Sequence, residues 1–141
     1  MAGSKMTFTY QSYGLIQKVI ADWTSDDADG TVSGTTRIMV GELIKAITNP
    51  DGTDAPTDNY DITVKDEESF DVLSNTDDDL VDRDTANTEE VYFFEKDHAG
   101  TPLAQSVHPV VADKLTIKVA AAGNAKKGRL ILYFRTDGRA A

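Results

Sequence analysis

Carboxylates dominate the residues that could do chemistry in this chain. Its 141 residues include 24 Asp and Glu, two His and no Cys. Clustered oxygens suit hard cations such as calcium, and two carboxylates in a shaped cleft suit glycoside hydrolysis. In "SDDADGTVSGTT" (25–36), Asp27, Asp29 and Gly30 stand at offsets that suit a calcium loop. The pattern fails at both ends, because Ser25 replaces the first Asp and Thr36 the bidentate Glu. "DDDLVDRD" (77–84) is denser but lacks the spacing of a dedicated site, and reads as a solvated loop. His98 in "KDHAG" and His108 in "SVHPV" both stand beside turn residues. Ser106 and His108 share one side of an extended chain, but the strained elbow that exposes a serine nucleophile is missing. No paired-histidine zinc spacing occurs, and "GNAKKG" (123–128) lacks the residue order of a phosphate-binding loop. Without Cys there is no thiol nucleophile, thiolate ligand or disulfide. The expectation is a protein that is not an enzyme and takes no cofactor and no metal.

The elements that carry these residues read as strands. In "NYDITVKDEESFDVL" (59–73), Tyr60, Ile62 and Val64 alternate with Asp61, Thr63 and Lys65, the period of a half-buried strand. "DEES" breaks the alternation and Phe70 with Val72 restarts it, which predicts a hairpin with an acidic outer face. Leu115, Ile117 and Val119 alternate in the same way before the turn-rich "AAAGNAKKG". "RLILYFR" (129–135) puts Leu130, Leu132 and Phe134 on one face and Ile131 with Tyr133 on the other, as expected of a central strand or one covered by a partner. "EVYFFEK" (90–96) is aromatic-rich and "MTFTY" (6–10) reads as a short edge strand.

Two segments carry a helical stripe as well, "LIQKVIADW" (15–23) and "VGELIKAI" (40–47). Their β-branched content and the lack of a capping signal favour strands, with Trp23 in the core. The turn-rich stretch 24–36 joins them, and the four prolines (Pro50, Pro56, Pro102, Pro109) fall between strands. The fold class expected is all-β: a single-domain antiparallel β-sandwich of about seven or eight short strands. The division is an N-terminal arm or edge strand (1–13), a sandwich domain (14–137) and a C-terminal tail (138–141). Residues 74–89 form a long acidic loop, of the kind that is functional or mobile.

Charge is unevenly placed. Residues 1–50 carry four basic and five acidic side chains, residues 51–105 three and seventeen, and residues 106–141 seven and two. That asymmetry suggests an acidic band meeting basic groups on another copy or a partner. The basic tail with Lys126, Lys127, Arg129, Arg135 and Arg139 is too short for a nucleic-acid face. No apolar run approaches a membrane span and no basic stretch leads into one, so the expectation is a soluble protein with no nucleic-acid or membrane partner.

Three stretches, "DWTSDDADGTVSGTT" (22–36), "PDGTDAPTDNYDITVKDEESFDVL" (50–73) and "KLTIKVAAAGNAKKGRLILYFR" (114–135), together resemble small structural proteins of tailed-bacteriophage morphogenesis clusters. They cover about half the chain, in order; the region 74–97 is more acidic than the resembled pattern. The resemblance implies a head decoration (cement) protein, made in the host bacterial cytoplasm and bound to the capsid exterior. Its implied partners are the major capsid protein and further copies of itself, a trimer being favoured. Contact residues expected for self-association or capsid binding are Phe8, Tyr10, Tyr13, Tyr92, Phe94, Ile131 and Tyr133, and residues 1–13 are expected to face the shell by adding a strand to a neighbour's sheet. The alternatives are a neck, tail or fibre component, and a carbohydrate- or calcium-binding β-sandwich module.

Overall fold

The computed structural model describes residues 4–26, 28–73, 80, 82–93 and 108–136. Seven strands follow in chain order: β1 Lys5–Tyr13, β2 Ile16–Thr24, β3 Val32–Pro50, β4 Asp61–Lys65, β5 Glu89–Tyr92, β6 Val110–Ala120 and β7 Lys127–Arg135. All pairings are antiparallel, in one sheet of order β1-β2-β7-β3-β6-β4 with β5 added to β3. The chain is therefore all-β, as its alternation predicts, and no helix occurs among the described residues.

The strands are not all short, because β3 runs for 19 residues. It absorbs residues 32–36, whose Ser, Gly and Thr content reads as turn. The β-branched Val32, Thr35 and Thr36 suit a ladder, and Val32 and Thr36 are buried. Residues 32–42 of β3 pair with β6, while residues 42–50 pair with β7 and 45–48 with β5. One strand thus carries the chain from one half of the sheet to the other. Two irregularities mark the passage, between Thr35 and Ile38 and between Leu43 and Lys45. Bulges of this kind bend a strand and raise its twist. Gly41 lies between them at φ +135°, and a Cβ there would stand 2.5 Å from the Arg135 carbonyl oxygen. Only glycine accommodates that bend.

The two halves close over a common core. Val19, Ala21 and Trp23 of β2, Leu130, Leu132 and Phe134 of β7, and Leu115, Ile117 and Val119 of β6 are all buried. The Trp23 ring lies 5.7 Å from that of Tyr60, just before β4, joining strands that are not sheet neighbours. β1 likewise lays Met6 and Phe8 over Gly34 of β3. The arrangement is sandwich-like, built from one folded-over sheet in place of two separate ones.

The strand expected at Phe70 and Val72 does not form. Asp66 caps a tight turn by accepting the N–H groups of Glu68 (2.9 Å) and Phe70 (3.0 Å). A single Lys65–Asp71 bridge follows, made by the Asp66 N–H to Phe70 carbonyl and Val72 N–H to Val64 carbonyl bonds. Those contacts, with Ile62 N–H to the Leu80 carbonyl, cap the outer edge of β4. Pro50 also departs from expectation: it is the last residue of β3, opposite Gly128. A strand end tolerates proline, since no further ladder bond is required of its nitrogen.

Candidate docking surface

Many of the aspartates among the described residues are engaged by backbone N–H groups. Asp26, Asp51, Asp66, Asp71 and Asp84 each accept an N–H from two residues on, and Asp29 accepts both the N–H (3.1 Å) and hydroxyl (2.8 Å) of Thr31. These are Asx turns, in which a short acidic side chain stands in for a backbone carbonyl. The Thr31 hydroxyl holds Asp29 below the usual carboxylate range, and backbone N–H groups do the same for Asp51 and Asp84. Asp61 and Asp58 reach further, accepting the N–H of Asp82 (2.9 Å) and Thr85 (3.3 Å). Among the described residues no three His, Cys, Asp or Glu side chains gather as a metal site would need.

Ser25, the would-be first calcium ligand, is buried and serves as a clamp. Its hydroxyl donates to the Gly123 carbonyl (2.6 Å) and accepts the Lys126 N–H (2.8 Å). Thr36, the would-be last ligand, donates to the Arg37 carbonyl (2.6 Å) and accepts the Leu115 N–H (3.0 Å) at the first bulge. His108 is buried, with its Nδ1–H donating to the Phe93 carbonyl at 2.6 Å; a carbonyl can only accept, which fixes the proton there. Asp27, His98 and Ser106 lie outside the described residues, as do positions 74–79 and 81 of the acidic loop.

What the fold does assemble is a face. The core residues of β2 and β7 point inward, so the register carries the intervening residues outward in rows across β1, β2, β7, β3 and β5. One row sets Ile20, Ile131 and Ile47 side by side. The next sets Lys18, Tyr133, Lys45 and Tyr92 in sequence. Lys18 lies 5.4 Å and Lys45 4.7 Å from the Tyr133 ring centre, and Lys45 is 5.5 Å from that of Tyr92. Lys45 also donates to Glu90 at 2.8 Å, which raises the Lys45 pKa and lowers that of Glu90. Two further ion pairs flank the rows: Arg129 with Asp22 (2.6 Å), and Arg135 with Glu42 (3.1 Å). A rigid aromatic and aliphatic strip rimmed by paired charges is the composition of a protein contact surface.

Of the expected contact residues, this face brings together Ile131, Tyr133 and Tyr92, with Tyr13 one row further out and 63% exposed. Phe8 and Tyr10 lie on the other side of β1, half-buried against the core. Tyr10 is further engaged there: its hydroxyl accepts the Arg37 N–H (2.9 Å) and the Arg37 guanidinium lies 4.0 Å from its ring centre. Phe94 lies outside the described residues. Sequence reasoning overlooked Ile38, Val40 and Val110, all exposed, Val110 by 78%. Val40 faces Ala112 and Glu42 faces Val110, so this apolar patch continues from the row of Tyr13, Ile16, Arg135 and Glu42. The signal was present in "RIMVGELI", where Met39 is flanked by apolar residues on both sides, as Leu132 is in β7.

At the opposite end of the same face a shallow depression of about 540 Å³ opens between Lys5, Asp22, Asn49, Asp51, Lys127 and Arg129. Its acids are spoken for, Asp22 by Arg129 and Asp51 by the N–H groups of Thr53 and Asp54. It offers charge for a partner to complement, with no converging pair of free carboxylates. No family model matches this sequence, and neither a curated protein nor a solved structure is significantly similar to it.

Proposed function

We propose that this chain is a structural component of a tailed-bacteriophage virion, a decoration protein that binds the outside of the assembled head and bridges its subunits. The resemblance of residues 22–36, 50–73 and 114–135 supplies the class. One observation carries the mode of action: Asp51, Asp66 and Asp84 are spent on turns and Glu90 on an ion pair, while the outward face of the central strands presents Ile131, Tyr133 and Tyr92 among paired charges. Turn-capping acids shape a stable module, and an aromatic strip on a rigid sheet gives it something to dock with. A stable attachment needs on the order of 1,000 Å² of buried surface. The rows of β2, β7, β3 and β5, continued by Val40 and Val110, provide a continuous surface for it. The net charge of −10 makes such docking sensitive to salt.

The test is co-purification with intact phage heads and a count of copies per particle. Tens to hundreds of copies support decoration, whereas about six or twelve assign the chain to a neck or tail ring. Absence from purified virions rejects both.

A further inference from the structure

We propose that β1 pairs with the β1 of a second copy of this chain, antiparallel, about a two-fold axis at Thr9. The inference rests on the edge of the sheet alone and holds or fails independently of the virion reading.

Residues Tyr13 and Ile16 close a hairpin through the two-residue turn Gly14-Leu15, with Gly14 at φ +64°. In such a hairpin the closing pair exchanges both ladder bonds, and bonded pairs then alternate along the strands. Residues 5, 7, 9, 11 and 13 therefore bond to β2. The N–H and C=O groups of Met6, Phe8, Tyr10 and Ser12 point away from the sheet. Among the described residues these groups take part in no backbone hydrogen bond outside the strand ladders. The edge also lacks the usual protection. Its register with β2 runs unbroken over nine residues, without proline or bulge, and its one charged residue, Lys5, is at the end. The far edge of the sheet, β4, is by contrast capped by the residue 71–73 turn and by Leu80.

The sequence of β1 complements itself. With Thr9 opposite Thr9 of the second copy, the residue opposite Phe8 is Tyr10, the residue opposite Lys5 is Tyr13, and Thr7 meets Gln11. Aromatic pairs, a β-branched pair and cation–aromatic pairs are the cross-strand combinations that stabilise antiparallel ladders. No like charges meet. A slip of two residues either way sets Gln11 or Leu15 opposite Lys5 and aligns Phe8 or Tyr10 with itself. The bonding groups of residues 6, 8, 10 and 12 then form about eight new hydrogen bonds across the axis. A two-fold contact of this kind is closed and yields a dimer, not a filament.

The chain has no Cys, so single cysteines report the register directly. Thr9→Cys places two thiols at a facing, non-bonded pair whose Cα separation of about 4.5 Å lies within disulfide range. Under mild oxidation it is expected to cross-link at least about tenfold faster than Thr7→Cys or Gln11→Cys alone, while an equimolar mixture of those two cross-links with each other. Sedimentation equilibrium of the unmodified chain is expected to give a dimer. Thr9→Lys, on an exposed outward position, gives a monomer with an unchanged circular dichroism spectrum. A monomer or a closed trimer for the unmodified chain overturns the proposal, as does a dimer in which Thr9→Cys cross-links no faster than Thr7→Cys.

Discussion

The indole of Trp23 occupies the space a side chain at Gly128 would need: a Cβ there would stand 2.5 Å from Trp23 Cζ2 and 2.8 Å from Cε2. The two residues are register partners in β2 and β7, so the absence of one side chain makes room for the largest. The ring then reaches Tyr60 across the core.

Replacing Gly128 with Val must therefore displace the indole or the strand. Overpacking at such a site costs about 1–3 kcal/mol. The expected result is a lower urea midpoint with unchanged slope, together with a red-shifted fluorescence from the single Trp. An unshifted spectrum with unchanged stability would show that the ring has room to move.

A second contact ties the turns at one end together. Ser25, buried after β2, bonds to both Gly123 and Lys126, about a hundred residues away in sequence. Ser25→Ala leaves a partly buried carbonyl and a partly buried N–H short of a partner, and should cost about 1 kcal/mol. Thermal unfolding reads this directly, and Ser25→Thr tests whether the hydroxyl alone suffices.

Much of this was legible in the sequence because period-two alternation is a local signal. Tyr60, Ile62 and Val64, or Leu130, Leu132 and Phe134, announce their buried face without reference to any neighbour. The length of β3 was not legible, since "VSGTT" has a turn-like composition and becomes strand only because β6 lies alongside it. Phe70 and Val72 erred the other way: two apolar residues suggest a strand, but Asp66 closes the turn so tightly that the ladder ends after one bridge. The candidate face was half legible. Ile131 and Tyr133 stand out as apolar residues on the second face of a buried strand. Their alignment with Lys18, Lys45 and Tyr92 depends on the strand order β2-β7-β3-β5, which no single segment encodes.

Alkaline pH should weaken the fold through Tyr60. Burial pushes its phenol up to about 12, against about 10 for an exposed tyrosine. The native state thus holds this proton more tightly than the unfolded chain. Its contribution is full below pH about 10 and is lost as pH rises through about 12. Tyr60→Phe removes the group that titrates. Unfolding free energies measured between those pH values should fall less steeply in the variant, and parallel curves would assign the slope elsewhere.

Acid should act through the turns. Hydrogen bonds hold Asp51 and Asp84 below their ordinary range. A depressed carboxylate stabilises the native state above its unfolded pKa of about 4, and that stabilisation disappears as pH falls through the lowered value. Asn can still cap an Asx turn through its carbonyl oxygen but does not titrate in this range. The double variant Asp51→Asn, Asp84→Asn should therefore keep its fold at pH 7 and show a shallower loss of Tm below pH about 4. An acid limb as steep as that of the parent chain would remove these turns from the account.

The docking face makes the most discriminating prediction for function. Tyr133 is held between Lys18 and Lys45 and is half-buried, so it is a rigid anchor that loses little freedom on binding. If the proposed decoration role is right, Tyr133→Ala combined with Ile131→Asp should weaken attachment to phage heads by about 30-fold or more, the equivalent of about 2 kcal/mol. Both residues point away from Leu130, Leu132 and Phe134, so the inward packing of β7 is kept and circular dichroism should be unaltered. Raised salt should weaken the parent chain's binding, because Lys45 lies within the strip and Arg129 and Arg135 flank it with charge. Ile38→Asp on the neighbouring patch separates the two surfaces. If it abolishes binding while the β7 variant binds normally, the shell contact belongs to the β3–β6 face and the isoleucine and tyrosine rows serve some other contact.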